Sequence, residues 1–232
     1  MQERLAELQL ALYERQLLQP LDILIVGATG SGKSSTINAL FASQQAEVGE
    51  GVAPQTEKIS SYQLNSALRF HDSAGLGDSK QHDAQHGLRI KSKIDEFCRV
   101  QGNTSHLDYY LIDMVMVVLE GGKRDLGTAF TLLTDVVLKA IPPERVIVVI
   151  NQADMIMKGR HWQHELNRPD ITLEKQLNLS ASSVQRRIYE STGLNVAMPI
   201  CYSAKFNYNL DALLGHITSH LPAEQRCASS AA

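Results

Sequence analysis

Short apolar runs alternate with segments of helical spacing along most of the chain. The apolar runs are rich in Val, Ile and Leu and are bounded by Gly, Pro or polar residues, which is typical of buried strands. They are Asp22–Val26, Glu57–Leu64, Ala67–Asp72, Leu111–Leu119, Arg145–Ile150 and Pro199–Tyr202. Between and after them, apolar residues recur at the spacing of one helix face. These predicted helices are Ser34–Phe41, Leu88–Phe97, Thr128–Ile141, Ser182–Tyr189 and Leu210–Leu221. The alternation predicts an α/β fold with a mainly parallel sheet and helices on both faces.

The N-terminal segment stands apart from this alternation. Leu5, Leu8 and Leu12 lie at helical spacing among charged residues, and Pro20 ends the pattern. Residues 1–20 are therefore predicted to form an amphipathic helix. Its apolar stripe either packs on the rest of the chain or contacts a partner, a second copy or a membrane surface. The polar face mixes Glu, Arg and Gln and is not rich in lysine, which disfavours the membrane.

The remaining chain is interpreted as one main domain followed by a tail. The domain covers residues 21–221, and the Ala-rich end, residues 222–232, is predicted to be disordered. Residues 155–180 are long for a connection, which indicates an insertion or a mobile region.

Composition narrows the class of protein only a little. The chain has 232 residues and a formal net charge of −3, which argues against sequence-independent nucleic-acid binding over the whole surface. Its three widely spaced cysteines suit reduced thiols better than a disulfide framework. The N-terminus lacks the basic-then-apolar order of a signal peptide, and the longest apolar run is too short to span a bilayer. A cytoplasmic protein is expected.

The strongest motif is a glycine-rich loop between the first strand and the helix that follows it. Gly27–Ser34 matches the pattern G-x-x-x-x-G-K-[ST] in full. Glycines let several backbone N–H groups converge on phosphate oxygens, and the N-terminus of the helix adds positive partial charge. Lys33 is expected to reach the β- and γ-phosphates, and Ser34 to supply a hydroxyl ligand to Mg²⁺. The predicted phosphate-binding residues are Gly27, Thr29, Gly30, Ser31, Gly32, Lys33, Ser34 and Ser35.

Two further motifs indicate which base is bound. Asn151-Gln152-Ala153-Asp154 follows a strand, at the end where α/β sheets bind ligands. The Asp154 carboxylate can accept hydrogen bonds from guanine N1–H and its exocyclic amine, whereas adenine has no donors there. Ser203-Ala204-Lys205 follows the last strand, where the Ala204 N–H can meet guanine O6 and the stem of Lys205 can lie along the base. The predicted base-binding residues are Asn151, Gln152, Asp154, Ser203, Ala204 and Lys205.

A metal and switch site is predicted from Asp72-Ser73-Ala74-Gly75, at the end of another strand. Asp72 can hold Mg²⁺ through water, and the Gly75 N–H can contact the γ-phosphate. Thr56 is placed to add a second hydroxyl ligand, and the alternative for it is an ordinary exposed loop residue. Ser34, Thr56 and Asp72 form the predicted metal set, and Lys33, Thr56 and Gly75 the predicted catalytic set. Such segments are ordered by the γ-phosphate and Mg²⁺ and relax after hydrolysis.

Taken in order, these motifs resemble the GTPase family that includes Ras and Era. The stretch Gly27–Leu40 is similar to Era-like bacterial GTPases, to the YfjP-like group among them, and to immunity-related GTPases. The resemblance covers roughly residues 21–221. It implies a Ras-like P-loop fold with a six-stranded, mainly parallel sheet that has one antiparallel strand, GTP or GDP with Mg²⁺ as ligands, and nucleotide-dependent switch loops.

Three departures from the family bear on the mechanism. Leu76 stands where Ras-like members carry the glutamine that orients the attacking water. Gln152 replaces the lysine of the base motif, and Gly30 replaces the asparagine of potassium-using members. We therefore expect slow hydrolysis that dimerisation across the nucleotide face or a protein partner accelerates. The alternatives are a GTP-binding interaction module with negligible hydrolysis and an ATP-using kinase or ATPase, which Asp154 and the Ser203–Lys205 motif disfavour.

Overall fold

The structure is a computed structural model that describes residues 1–45, 60–73, 80–98, 108–123 and 127–227. Thr56, Gly75 and Leu76 lie outside these ranges, so the roles predicted for them stay predictions.

A six-stranded sheet forms the centre of the described chain. Its strands are β1 (Leu21–Val26), β2 (Ser60–Gln63), β3 (Leu68–Asp72), β4 (Met114–Glu120), β5 (Val146–Asn151) and β6 (Ile200–Cys201). Their spatial order is β6-β5-β4-β1-β3-β2, and every neighbouring pair is parallel except β2 with β3. The predicted sheet, with its one antiparallel strand, is confirmed. Strands β1 and β5 are buried at every position because both faces of the sheet are covered, which explains their continuous apolar sequences.

Helices cover both faces of this sheet. They are α1 (Gln2–Glu14), α2 (Lys33–Gln45), α3 (Lys80–Ile94), α4 (Gly127–Ala140), α5 (Ile171–Thr192) and α6 (Leu210–Ser219). Helix α4 consists of Gly127–Thr131, a π-helical stretch Leu132–Val137, and Leu138–Ala140. One apolar core joins α1, α2 and α6 to one face of the sheet, and a second joins α3, α4 and α5 to the other. None of the helices in the described part of the chain is both long enough and apolar enough to cross a membrane.

The N-terminal helix packs on its own domain. Leu5, Leu8 and Leu12 are buried, and the amino group of Met1 lies 2.7 Å from a carboxylate oxygen of Asp211 on α6. The helix ends at Glu14, earlier than the sequence pattern indicates. The intramolecular alternative for the leucine stripe is therefore the one that the structure supports.

Residues 155–180, interpreted from the sequence as an insertion or a mobile region, contain regular secondary structure. A short hairpin pairs Trp162–Gln163 with Arg168–Pro169, and helix α5 begins immediately afterwards. Asp170 caps this helix, because its side chain accepts hydrogen bonds from the backbone N–H groups of Thr172 and Leu173. The buried stripe of α5 is hard to see in the linear sequence because Ile171 and Leu179 are apolar but exposed, off that stripe.

Two boundaries in the middle of the chain also differ from the prediction. Helix α3 ends at Ile94, and Phe97–Cys98 instead pairs with Tyr109–Tyr110 as a two-stranded ribbon. Because Tyr109–Tyr110 belongs to this ribbon, β4 starts after it, at Met114 and not at Leu111.

The disordered tail is wrong for residues 222–227, which lie against the end of the sheet that is opposite the motifs. The side chain of Gln225 accepts from the Leu18 N–H at 3.0 Å and donates to Asp113 at 2.6 Å. The guanidinium of Arg226 donates to the last carbonyls of α3 and α4 and lies 4.0 Å from the ring centre of Tyr110. Hydrogen bonds and a cation–π contact thus order a segment whose composition indicates disorder. Residues 228–232 lie outside the described ranges.

Candidate functional site

The predicted motifs meet at the carboxyl ends of the central strands. The glycine-rich loop follows β1, Asp72 ends β3, Asn151 ends β5, and Ser203 follows β6 closely. Parallel strands place their carboxyl ends on one edge, so four segments that are distant in sequence share one crevice.

The glycine-rich loop has a geometry that requires its glycines. Gly30 and Gly32 have φ values of +83° and +86°, in the left-handed region that disfavours a side chain. A β-carbon on Gly32 would lie 2.2 Å from Nδ2 of Asn151, and one on Gly27 would lie 2.4 Å from the carbonyl oxygen of Val118. Of the other predicted loop contacts, Thr29 is exposed in the loop and Ser35 is exposed in the first turn of α2.

Lys33 is buried inside this loop. Its Nζ donates to the carbonyl oxygens of Gly27 at 3.1 Å and Ala28 at 3.2 Å. Burial lowers the pKa of Lys33, and the nearby carboxylate of Asp72 opposes that shift. The loop thus holds a cationic nitrogen at its centre, which suits a phosphate group.

Ser34 and Asp72 bring the predicted metal ligands together. Ser34 Oγ donates to Asp72 Oδ2 at 2.7 Å, which joins the start of α2 to the end of β3. Burial raises the pKa of Asp72, and its Oδ1 is buried with no hydrogen-bond partner among the described residues. A hydroxyl and a carboxylate oxygen are donors that Mg²⁺ prefers, so the residues present fit that ion.

Asn151 is buried and links the two halves of the site, which are the phosphate loop and the base motifs after β5 and β6. Its Nδ2 donates to the Ser31 carbonyl at 3.0 Å, and its Oδ1 accepts from the Ala204 N–H at 3.1 Å. Sequence reasoning reserved this Ala204 N–H for guanine O6. In the structure it is engaged by Asn151, so contact with a base requires that the N–H be shared or redirected.

The motif after β6 fixes the side chain of Asp154, the residue predicted to recognise the base. It lies in a short turn after β5, is 5% exposed, and its Oδ1 accepts from Ser203 Oγ at 2.7 Å. The bond fixes the position of one oxygen of the Asp154 carboxylate.

Two other base-motif side chains differ in their surroundings. Gln152 has a left-handed backbone, with φ +59°, and its Nε2 donates to the Gly30 carbonyl at 2.8 Å. The amide that replaces the family's lysine therefore contacts the phosphate loop. Lys205 is exposed, with its ammonium 5.0 Å from the ring centre of Phe206.

Sequence reasoning missed one pair of residues at this site. The hydroxyls of Thr36 and Tyr202 lie 2.6 Å apart, and both residues are fully buried. Thr36 is in the first turn of α2, and Tyr202 directly precedes Ser203. The only sequence signal is their adjacency to two motifs, since neither belongs to a recognised pattern.

The fold and this site define a P-loop nucleotide-binding protein of the Ras-like class. Residues 22–152 match the family model described as 50S ribosome-binding GTPase. The match covers more than half of the chain, so the chain belongs to this GTPase family. Membership makes GTP or GDP, with Mg²⁺, the ligands of the site.

Individual relatives agree with the class. GTPase Der of Orientia tsutsugamushi (strain Boryong) is 25% identical in an alignment of 202 residues that covers 84% of this chain and 36% of Der, so the chain spans about a third of the length of that curated relative. Among solved structures, Toc33 from Arabidopsis thaliana, in complex with GDP and Mg²⁺, aligns with a TM-score of 0.63 at 15% identity, over 97% of this chain and 93% of Toc33. A dimerisation-deficient mutant of Toc33 aligns equally well. A GDP complex of a GTP-binding protein from Sulfolobus solfataricus aligns with a TM-score of 0.52 at 18% identity, over 94% of this chain and 57% of that one.

Proposed function

We propose that this chain is a slow GTPase whose nucleotide state drives a conformational switch, and that dimerisation across the nucleotide face or a protein partner accelerates it. The observation that carries the proposal is the hydrogen bond between Ser34 and Asp72, at 2.7 Å. Mg²⁺ takes oxygen ligands at about 2.1 Å, so a metal that binds between these groups competes with this bond. Arrival and loss of the Mg²⁺–nucleotide complex thereby act on the end of β3, where the chain leaves the sheet toward α3.

The chemistry that we assign is in-line attack of water on the γ-phosphate. Lys33 and the backbone N–H groups of the loop would stabilise the charge that develops on the phosphoryl oxygens, and Mg²⁺ held near Ser34 and Asp72 would supply further neutralisation. Thr56 and Gly75 remain the proposed switch contacts to the metal and the γ-phosphate.

Slow turnover follows from Leu76 and from the lack of cationic residues in the sequence that follows the loop. An aliphatic side chain has no polar group to orient water, and the sequence has no Arg or Lys between Lys33 and Lys58 to serve as an internal arginine finger. A group from outside would have to complete the site. Toc33, which has the same fold, has a mutant described as dimerisation-deficient, which supports a second copy as the source.

The test is GTP turnover in Mg²⁺ over several decades of protein concentration, with ATP in parallel. We expect slow turnover that is specific for GTP, with a specific activity that rises with concentration if a second copy completes the site. Lys33→Met should abolish nucleotide binding. Lys139→Met, which removes an exposed lysine that pairs with Asp135 on α4, is the matched control and should change nothing. Turnover of tens per second by a dilute monomer, or a preference for ATP, would overturn the proposal.

A GTP-binding module with negligible hydrolysis is the second candidate, and Leu76 is the observation that favours it. Tight GDP and GTP binding with no turnover at any protein concentration, and none on addition of a cell extract, would select this candidate over the slow GTPase.

A further inference from the structure

We infer that Tyr202 and Thr36 are positioning residues that hold the guanine-binding half of the site in register with the phosphate-binding half. The inference rests on the proposed binding of a guanine nucleotide at this site and deepens it. The pair joins the residue before the Ser203–Lys205 motif to the helix that carries the phosphate loop.

The hydrogen bonds of the pair form a directed chain. Thr36 Oγ1 donates to the Gly32 carbonyl at 2.8 Å, and that carbonyl can only accept. The single hydroxyl proton of Thr36 is thereby used, so the Tyr202 hydroxyl is the donor across the 2.6 Å contact. The phenol thus reaches the backbone of Gly32, the glycine at φ +86° beside Lys33, through one intervening oxygen.

Burial makes these two hydrogen bonds costly to lose. Tyr202 and Thr36 are both 0% exposed, so water cannot replace either partner when the bond is lost. Burial raises the pKa of Tyr202, which keeps the phenol proton on its oxygen and the group a donor. The ring also packs in the core that joins α2 and α6 to the sheet, so the hydroxyl has a fixed position.

The pair complements the bridges made by Asn151 and Gln152. Those two side chains reach the carbonyls of Ser31 and Gly30, which lie in the loop itself. Tyr202 instead reaches the last glycine of the loop, Gly32, indirectly, through Thr36 in the first turn of α2. Tyr202 connects the two halves and is fully buried, so it offers no surface to a base or a phosphate. Its contribution should therefore appear only for ligands that occupy both halves at once.

The experiment compares ligands that span the site with ligands that occupy one half. Affinities of GDP, guanosine and inorganic pyrophosphate are measured by competition against a fluorescent GDP on the full chain. Tyr202→Phe removes one oxygen and keeps the ring. We expect GDP affinity to fall about 5- to 10-fold, the range for loss of one buried hydrogen bond, while guanosine and pyrophosphate change less than about twofold.

Three further variants separate positioning from folding. Thr36→Val removes the central oxygen and should weaken GDP binding, Thr36→Ser restores the hydroxyl and should restore affinity, and the double variant Tyr202→Phe/Thr36→Val should be no weaker than Thr36→Val alone. Tyr62→Phe is the matched control, since it deletes the same atom from a tyrosine on β2 whose ring contacts Phe41.

Two results would overturn the inference. One is GDP binding by Tyr202→Phe within twofold of the unmodified chain. The other is an equal proportional loss for GDP, guanosine and pyrophosphate, which a general loss of structure would produce. An unmodified chain that binds no guanine nucleotide would instead refute the proposed function itself, together with everything that rests on it.

Discussion

Replacing Gly32 by alanine should break the brace between the two halves of the nucleotide site. The new β-carbon would lie 2.2 Å from Nδ2 of Asn151, so that side chain must move away. Its movement costs the hydrogen bonds to the Ser31 carbonyl and the Ala204 N–H. The left-handed backbone of Gly32, at φ +86°, adds a separate penalty for any residue with a β-carbon.

The size of the effect follows from these terms. A β-carbon in the left-handed region costs about 1–2 kcal/mol. Two lost hydrogen bonds add about 1 kcal/mol each, which brings the expected loss in the free energy of unfolding to about 3–4 kcal/mol. Displacing one loop N–H from a phosphate oxygen removes a charge-assisted bond worth about 1.5–3 kcal/mol, or roughly 10- to 100-fold in GDP affinity.

Gly193→Ala provides the matched control. Gly193 also has a left-handed backbone, at φ +69°, but a β-carbon there would have nothing within 4 Å, and it lies at the end of α5. This variant should lose only about 1–2 kcal/mol of stability from the backbone term and should keep its GDP affinity. Urea unfolding and calorimetric GDP titration measure both quantities. If Gly32→Ala behaved like Gly193→Ala in both assays, the bracing role of Asn151 would be refuted.

Three other predictions test separate parts of the structure. Asp154→Asn keeps an oxygen that can accept from the Ser203 hydroxyl but replaces the oxygen proposed to accept from guanine. GDP affinity should fall about 10-fold or more, and affinity for xanthosine diphosphate should rise. Unchanged GDP binding in competition assays would contradict the base assignment. Burial lowers the pKa of His216 to about 4, so on acidification the unfolded chain takes up this proton before the folded one, and stability is lost as pH falls below about 6.5. The change in unfolding free energy caused by His216→Leu, measured in urea, should therefore be more favourable by about 2 kcal/mol at pH 5 than at pH 8. An equal effect at both pH values would refute this. Arg226→Ala should cost about 2–3 kcal/mol of unfolding free energy without altering GDP affinity. Arg186→Ala, which loses an ion pair on the surface of α5, should cost under about 0.5 kcal/mol, and equal losses would show that the Arg226 contacts contribute no more than a surface ion pair.

The sequence alone determined those features of this protein that depend on residues adjacent in the chain. The G-x-x-x-x-G-K-S loop, the Asn151–Asp154 turn and the Ser203–Lys205 segment are each read from a few neighbouring positions. Buried parallel strands are equally visible, because a strand covered on both faces must be apolar at every position, as β1 and β5 are. The sheet and the family follow from such local signals, and so does the meeting of these motifs at one edge of the sheet.

Tertiary structure alone decided the contacts between residues that are remote in the chain. Thr36 and Tyr202 are 166 positions apart, and Leu18 and Gln225 are 207 apart. Residues 222–227 belong to the tail that the sequence predicts to be disordered, yet Gln225 and Arg226 find partners at the end of the sheet that only the fold assembles. A pairing of two polar side chains leaves no periodicity in the sequence, because its energy depends on geometry and burial that exist only after the strands and helices have packed.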